Sequence, residues 1–198
     1  VALTDSDQTI VVAAGPAGTG KTWLAMKAAI RDLRRGACER IVLTRPAVGV
    51  DDERHGFLPG DLNAKMEPWT RPLMDVLREH YRAADIARML DDGVIEISPL
   101  AFMRGRTFRD AWIIADEMQN ATPSQLKMLL TRIGEGSRVA VTGDIEQTDR
   151  ASKHNGLDDL CRRLAATSVP GITLCEFHSR DIQRHEIIGP VLALYRDL

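Results

Sequence analysis

"VVAAGPAGTGKTWLAM" (Val11–Met26) sets three glycines, a lysine and a threonine between an apolar run and a run with helical spacing. Glycine weakens regular structure, so three of them in one short turn call for a reason beyond packing. The stretch satisfies G-x-x-x-x-G-K-[ST] over Gly15–Thr22, and it follows a predicted strand and opens a predicted helix, the context that gives this pattern its meaning. Gly15, Gly18 and Gly20 let the main chain curl close to an anion with no side chain in the way. The curled N–H groups and the helix N-terminus then aim partial positive charge at phosphates. Lys21 is suited to span the β- and γ-phosphates, and the Thr22 hydroxyl to ligate Mg²⁺. The expected nucleotide-binding set is Gly15, Pro16, Ala17, Gly18, Thr19, Gly20, Lys21 and Thr22, with Trp23 packed beside the nucleotide.

Five further short apolar runs join this first strand, "TIVVAA" (Thr9–Ala14): "RIVLT" (Arg40–Thr44), "VIEIS" (Val94–Ser98), "AWIIA" (Ala111–Ala115), "RVAVT" (Arg138–Thr142) and "ITLCEF" (Ile172–Phe177). Several are apolar at consecutive positions, as parallel strands covered on both faces are. Between them lie helical patterns. In "WLAMKAAIRDLRRG", Leu24, Ala25, Ala28, Ala29 and Leu33 share one face, and Gly36 supplies a stop. In "TPSQLKMLLTRIG", Thr122 and Gln125 have capping-box spacing with Pro123 at the first helical position, and Leu126, Leu129, Leu130 and Ile133 form the apolar stripe. Strands alternating with helices predict a three-layer α/β/α P-loop domain on a mostly parallel sheet, with one domain expected over residues 1–198.

Nucleotide chemistry needs an acid for the metal, and "AWIIADE" supplies Asp116 and Glu117 at a strand end. Asp116 is the expected Mg²⁺ partner alongside Thr22, and Glu117 is placed to orient or activate an attacking water. An adjacent glutamate favours hydrolysis over transfer to a small acceptor. "RVAVT" runs into "GDIEQTD", which brings Asp144 and Gln147 to the same carboxyl edge of the sheet. A glutamine amide can donate to a γ-phosphate and accept from water. The chain has no Asn-Lys-x-Asp base reader, which favours ATP over GTP.

Composition narrows the classes. The chain has 198 residues, 44% of them hydrophobic, with a formal net charge of -2, so any nucleic-acid contact must rest on local arginines. Its three cysteines, Cys38, Cys161 and Cys175, lie far apart with no CxxC pair, which suits buried thiols in a reducing compartment. The five histidines have no metal-ligand spacing. No apolar run reaches the roughly 18 residues of a membrane span, so no membrane partner is expected.

With these motifs placed, the chain resembles the PhoH-like family of cytoplasmic ATPases, related to the RecA-like core of superfamily-one helicases. The resemblance runs from about Ile10 to Tyr195. It is carried by "LTRPAV" (Leu43–Val48), "GFLPGDL" (Gly56–Leu62), "KMEPWTRPL" (Lys65–Leu73), "SPLAFMRGRTF" (Ser98–Phe108), "ADEMQNAT" (Ala115–Thr122), "LLTRIGEGS" (Leu129–Ser137), "VTGDIEQTD" (Val141–Asp149) and "RDIQRHEII" (Arg180–Ile188). Gly143, Asp144 and Gln147 match the Gly-Asp-x-x-Gln segment by which those helicases link the γ-phosphate to nucleic acid. The resemblance implies an Mg²⁺-dependent, cytoplasmic ATPase that assembles as a hexameric ring and acts on RNA or single-stranded DNA. A phosphotransferase, or an assembly module gated by nucleotide, stays open beside it. A ring lets an arginine of one subunit reach the next subunit's γ-phosphate; Arg180 and Arg184 lead as candidates, with Arg104 and Arg106 as alternatives. Arg45 and the cluster Arg104, Arg106 and Arg109 are candidate phosphate contacts, and Trp69 or Phe57 candidate stacking residues in the irregular segment Gly49–Trp69. Three departures stand out. Gln8 sits too near the first strand to fill the glutamine segment that such chains carry before it, so either that segment lies upstream or the base contacts differ. These 198 residues are not expected to hold the RNA-cleaving PIN domain of some relatives, so nuclease activity is not carried over. Between "TRPAV" and "GFLPG", "GVDDERH" (Gly49–His55) differs from the family's commoner wording.

Overall fold

The computed structural model describes residues 2–46, 71–147 and 155–183. Six strands form one sheet: β1 (Ile10–Ala14), β2 (Arg40–Thr44), β3 (Ile95–Ile97), β4 (Ala111–Ala115), β5 (Arg138–Gly143) and β6 (Ile172–Glu176). Each coincides with a predicted strand to within one residue at either end. Their spatial order is β3-β2-β4-β5-β1-β6, and every pairing is parallel. The chain leaves β1 through α1 (Lys21–Arg34) and re-enters the sheet at β2, on the far side of β5 and β4. This crossover opens a crevice at the carboxyl edge, where open α/β sheets take their ligands. The register aligns the strand ends there: Ala14 pairs with Gly143, Ala115 with Val141, and Thr44 with Ala115.

Strands that read as solid apolar runs still alternate. Ile10, Val12, Val42, Ile113, Val139 and Val141 pack towards α4 (Pro123–Leu130) and α5 (Gly156–Ala166). Ile41, Leu43, Ile95, Trp112, Ile114 and Ala140 pack towards α1, the helical residues 71–78 (α2) and α3 (Ala83–Asp91). Both faces are therefore buried, giving the three layers the sequence predicts. Trp112 lies in the core, and its indole N–H donates to Asp32 at 2.8 Å. Asp32 also receives Arg138, whose guanidinium reaches the carbonyls of Gln8 (3.0 Å) and Asp5 (2.7 Å) and ties residues before β1 to the sheet. Burial pushes the Cys38 and Cys161 thiols up to about 11, so both stay protonated near neutral pH.

The helix ends follow from local chemistry. α1 stops in a Schellman arrangement: Gly36 is left-handed (φ 69°), and Ala37 N–H reaches the Asp32 carbonyl at 2.8 Å. α4 starts with the full capping box, Thr122 Oγ1 accepting from Gln125 N–H and the Gln125 amide oxygen accepting from Thr122 N–H. One predicted contact is corrected. Leu24 is 39% exposed, because the buried stripe of α1 runs through Ala25, Met26, Ala28, Ala29 and Ile30 and leaves Leu24 on its flank. There it lines an open cleft with Leu3, Val11 and Phe177. Within the α4 stripe, Leu126 and Leu129 are buried, while Leu130 and Ile133 pack against the core half-buried. Among the described residues, no helix is long and apolar enough to cross a membrane.

Thr122→Ala removes one half of the capping box and is expected to cost about 1 kcal/mol of stability, read as a lower urea midpoint at unchanged slope. Thr122→Ser keeps the acceptor and should lose much less.

Candidate functional site

Gly15 leaves β1 with φ 147°, and a Cβ there would lie 2.3 Å from the Phe177 carbonyl oxygen. Glycine is required by that approach, which brings the residues after β6 against the loop. Gly18 and Gly20 also have positive φ, and Gly20 begins α1 without any side-chain cap. The first amides of α1 are thus not taken by a capping side chain, the condition under which a helix start accepts an anion. Lys21 is buried to 8% exposure, and its ammonium donates to the Gly15 and Pro16 carbonyls at 2.6 and 2.7 Å. Burial pulls its pKa below the usual lysine value, against the attraction of Asp144, Glu117 and Asp116. The amine is folded over its own loop. A triphosphate offers it stronger acceptors than those carbonyls.

Asp116 follows β4 and is the most heavily used acid in the crevice. Its Oδ1 accepts from the Thr22 hydroxyl at 2.6 Å and from the Thr142 hydroxyl at 2.5 Å. Its Oδ2 accepts from Arg45, whose Nε lies at 2.9 Å and whose second guanidinium nitrogen is also in contact. The same guanidinium stands 3.9 Å from Glu117. Arg45 therefore points into the crevice, rather than out towards the expected nucleic-acid strand.

Glu117 adopts φ 56°, ψ 37°, a left-handed conformation uncommon outside glycine, and its carboxylate is half-exposed. The Gln119 amide donates to it at 2.6 Å. Asp144 follows β5, and its carboxylate accepts from Ala17 N–H in the loop at 2.9 Å and from Glu146 N–H at 3.0 Å. Gln147 lines the same crevice, a cavity of about 300 Å³ shared with Gly18, Lys21, Thr22, Asp116 and Glu117. Trp23 stands at its rim, with Lys27 over the ring at 4.1 Å and Glu79 accepting from its N–H at 3.3 Å.

The remaining candidates divide. Arg180 is exposed in the turn Ser179–Asp181, within a segment hydrogen-bonded to the loop at both ends: Phe177 N–H to the Ala14 carbonyl (2.8 Å) and Gln183 N–H to Gly18 (2.9 Å). Arg106 is paired with Glu96 and lies over the Phe108 ring at 4.5 Å, so it is spoken for. Arg104 and Arg109 are exposed. Arg184, Phe57 and Trp69 lie outside the described residues. Sequence reasoning missed Arg45's pairing, Thr142 and Gln119. The signal available for Gln119 was its position two residues beyond Glu117; Thr142 offered only its place at a strand end.

The donor set suits a magnesium–triphosphate. A hydroxyl and a carboxylate oxygen meet where a hard cation would sit, and loop amides with an ammonium face the crevice. Among the described residues, no group of three or more His, Cys, Asp or Glu converges, so a cation at Thr22 and Asp116 must complete its shell from phosphate and water.

Comparison with known proteins agrees with this geometry. The family model described as PhoH-like protein matches residues 2–196. A PhoH-like protein of Synechocystis sp. is 46% identical over 182 residues, 91% of this chain and 55% of the relative. One of Bacillus subtilis is 44% identical over 187 residues, 94% of this chain and 58% of its own length. Protein PhoH of Escherichia coli K12 is 40% identical over 189 residues, 94% and 52% respectively. The chain thus spans about half the length of the curated relatives it matches.

Asp116→Asn should destabilise the nucleotide-free protein by about 1–3 kcal/mol, because it removes the charge that faces Arg45 in a mostly buried contact. Arg45→Met added to it should recover part of that loss, giving a coupling of about 0.5–3 kcal/mol by denaturation. Strictly additive losses would show that the pair does not hold the apo crevice.

Proposed function

From the chain's membership of the PhoH-like family, we propose that it is an ATPase that binds Mg²⁺-ATP in this crevice and couples hydrolysis to work on RNA or single-stranded DNA, as a ring oligomer. The observation that carries the hydrolytic part is the convergence of Lys21, Thr22, Asp116, Glu117 and Gln147 on one cavity, from three neighbouring strand ends. The loop from Gly15 to Gly20 and the start of α1 wrap the phosphates, and Lys21 exchanges its carbonyl partners for the β- and γ-oxygens. Magnesium, when bound, would supply positive charge that neutralises the phosphates. Thr22 and Asp116 are the residues that would hold it, with Arg45 giving up its contact with Asp116. The Glu117 carboxylate accepts a proton from water as the water oxygen bonds the γ-phosphorus, the bond to the β-bridging oxygen breaks, and ADP departs with its electron pair. Gln147 donates from its amide to the γ-phosphate. A phosphotransferase gains nothing from a carboxylate set to activate water, which ranks that reading second.

The oligomeric part draws on Arg180, held near the loop yet exposed, where it can reach a neighbouring subunit's phosphate; Arg184 is the second candidate finger. Such an arginine is worth about 10³–10⁵ in rate. The nucleic-acid part draws on Phe102, 62% exposed in the turn after β3, with Arg104 exposed two residues on. An aromatic face next to a guanidinium suits base stacking with phosphate contact.

Lys21→Ala should weaken nucleotide binding and abolish turnover. Glu117→Gln should keep binding while turnover falls by about 10²–10⁴-fold, since it preserves shape and removes the base. Normal hydrolysis by Glu117→Gln would refute its role.

The wild-type ATPase should be stimulated by polyuridylate or oligothymidylate. Phe102→Ala should reduce that stimulation and leave the basal rate intact; indifference to every polynucleotide would remove the nucleic-acid part and favour the assembly module.

A further inference from the structure

We infer that Gln119 is a positioning residue that locks the Glu117 carboxylate to the main chain of the β5 loop and, through it, to the phosphate loop. This rests on the proposed role of Glu117 as base, and it gives a part to Gln119, which lies in the same segment "ADEMQNAT" two residues beyond that acid.

Gln119 is buried, yet both ends of its amide are used in opposite senses. Nε2 donates to Glu117 Oε2 at 2.6 Å, and Oε1 accepts the Asp144 N–H at 3.1 Å. The two partners fix the orientation of the amide. A carboxylate can only accept, and a peptide N–H can only donate, so the flipped amide would lose both bonds. Glu117 needs such a brace: its backbone is left-handed and its side chain is half-exposed, so little packing would otherwise choose its rotamer.

The far end of the brace is itself built in. Gly143, the last residue of β5, precedes Asp144, and a Cβ on it would lie 2.4 Å from Gln119 Oε1 and 2.6 Å from a Leu157 methyl. The backbone of Gly143 is not left-handed, so close approach, not φ, demands glycine there. Its carbonyl accepts from Gly15 N–H at 3.2 Å, and the Asp144 carboxylate accepts from Ala17 N–H. A movement of the phosphate loop or of the Asp144–Gln147 turn therefore reaches Glu117 through the Gln119 amide. The turn Met118–Asn120 adds a short path, with Asn120 N–H bonded to the Glu117 carbonyl at 3.1 Å.

A merely packed, satisfied core glutamine would affect stability and nucleotide binding alike, whereas a positioning residue affects kcat alone. The test compares wild type, Gln119→Glu, Gln119→Met and Gly143→Ala, each also combined with Glu117→Gln. Gln119→Glu keeps an acceptor for Asp144 N–H and presents oxygen to Glu117 in place of a donor. Gly143→Ala displaces the Gln119 amide without touching Glu117. Readouts are kcat, KM, the Kd of a non-hydrolysable ATP analogue, and the melting temperature. The expected result is a kcat lower by about 10²-fold with KM and analogue Kd held, the cost of a base about 1 Å out of place. In the Glu117→Gln background the same substitutions should leave the residual rate unchanged, because there is no base left to position. An unchanged kcat in a folded, nucleotide-binding Gln119→Glu overturns the inference, as does an equal rate loss with and without the Glu117 carboxylate. Loss of folding in every variant assigns Gln119 to the core and overturns it too. Absence of turnover in the wild type overturns the proposed function and this inference together, whereas wild-type turnover with indifferent Gln119 variants overturns this inference alone.

Discussion

The crevice depends on one contact: the Thr22 hydroxyl meets the Asp116 carboxylate at 2.6 Å across 94 residues of chain. Nothing local brings them together. The contact exists because β5 lies between β1 and β4, and because the parallel register ends these three strands at one level. Thr142, at the end of β5, adds its hydroxyl to the same carboxylate oxygen from the strand in between. Were β4 to slip by one residue, its alternate side chains would change face, Trp112 would leave the α1 side, and Asp116 would turn from Thr22. Core packing and site geometry are thus set by the same register.

Among the described residues, the charged groups at the crevice have partners within the chain. Lys21 rests on its own loop, Arg45 on Asp116, Glu117 on Gln119, and Asp144 on the Ala17 amide. Partly buried charges need such partners, since leaving one unpaired costs several kcal/mol. Under the proposed function, binding is an exchange of partners: phosphate would replace the carbonyls at Lys21, and a divalent cation the guanidinium at Asp116.

Much of this was legible in the sequence. The loop, its lysine and threonine, and the Asp116–Glu117 pair sit in short motifs whose spacing carries chemistry, and all converge as expected. The six strands were visible as apolar runs, and the α4 capping box as Thr122 and Gln125. What was not legible lies between elements. Arg45 reads as an exposed arginine after a strand, and only the adjacency of β2 and β4 turns it towards Asp116. Gln119 reads as one more polar residue in a turn, and its second partner comes from a strand 25 positions on. Leu24 was misplaced because alanines on either side of it leave the helical phase of α1 poorly marked, and the flank and the centre of the stripe look alike. Local pattern fixes what each residue can do; strand order decides whom it meets.

The proposed function requires a divalent ion between Thr22 and Asp116 with a triphosphate held by Lys21. A crystal structure grown with Mn²⁺ and a non-hydrolysable ATP analogue, read by anomalous scattering, tests this. A manganese peak is expected in contact with the Thr22 hydroxyl and beside the Asp116 carboxylate, with Arg45 withdrawn and the Lys21 ammonium on phosphate oxygens. Manganese elsewhere, with Arg45 still on Asp116 and no phosphate in the loop, would contradict it.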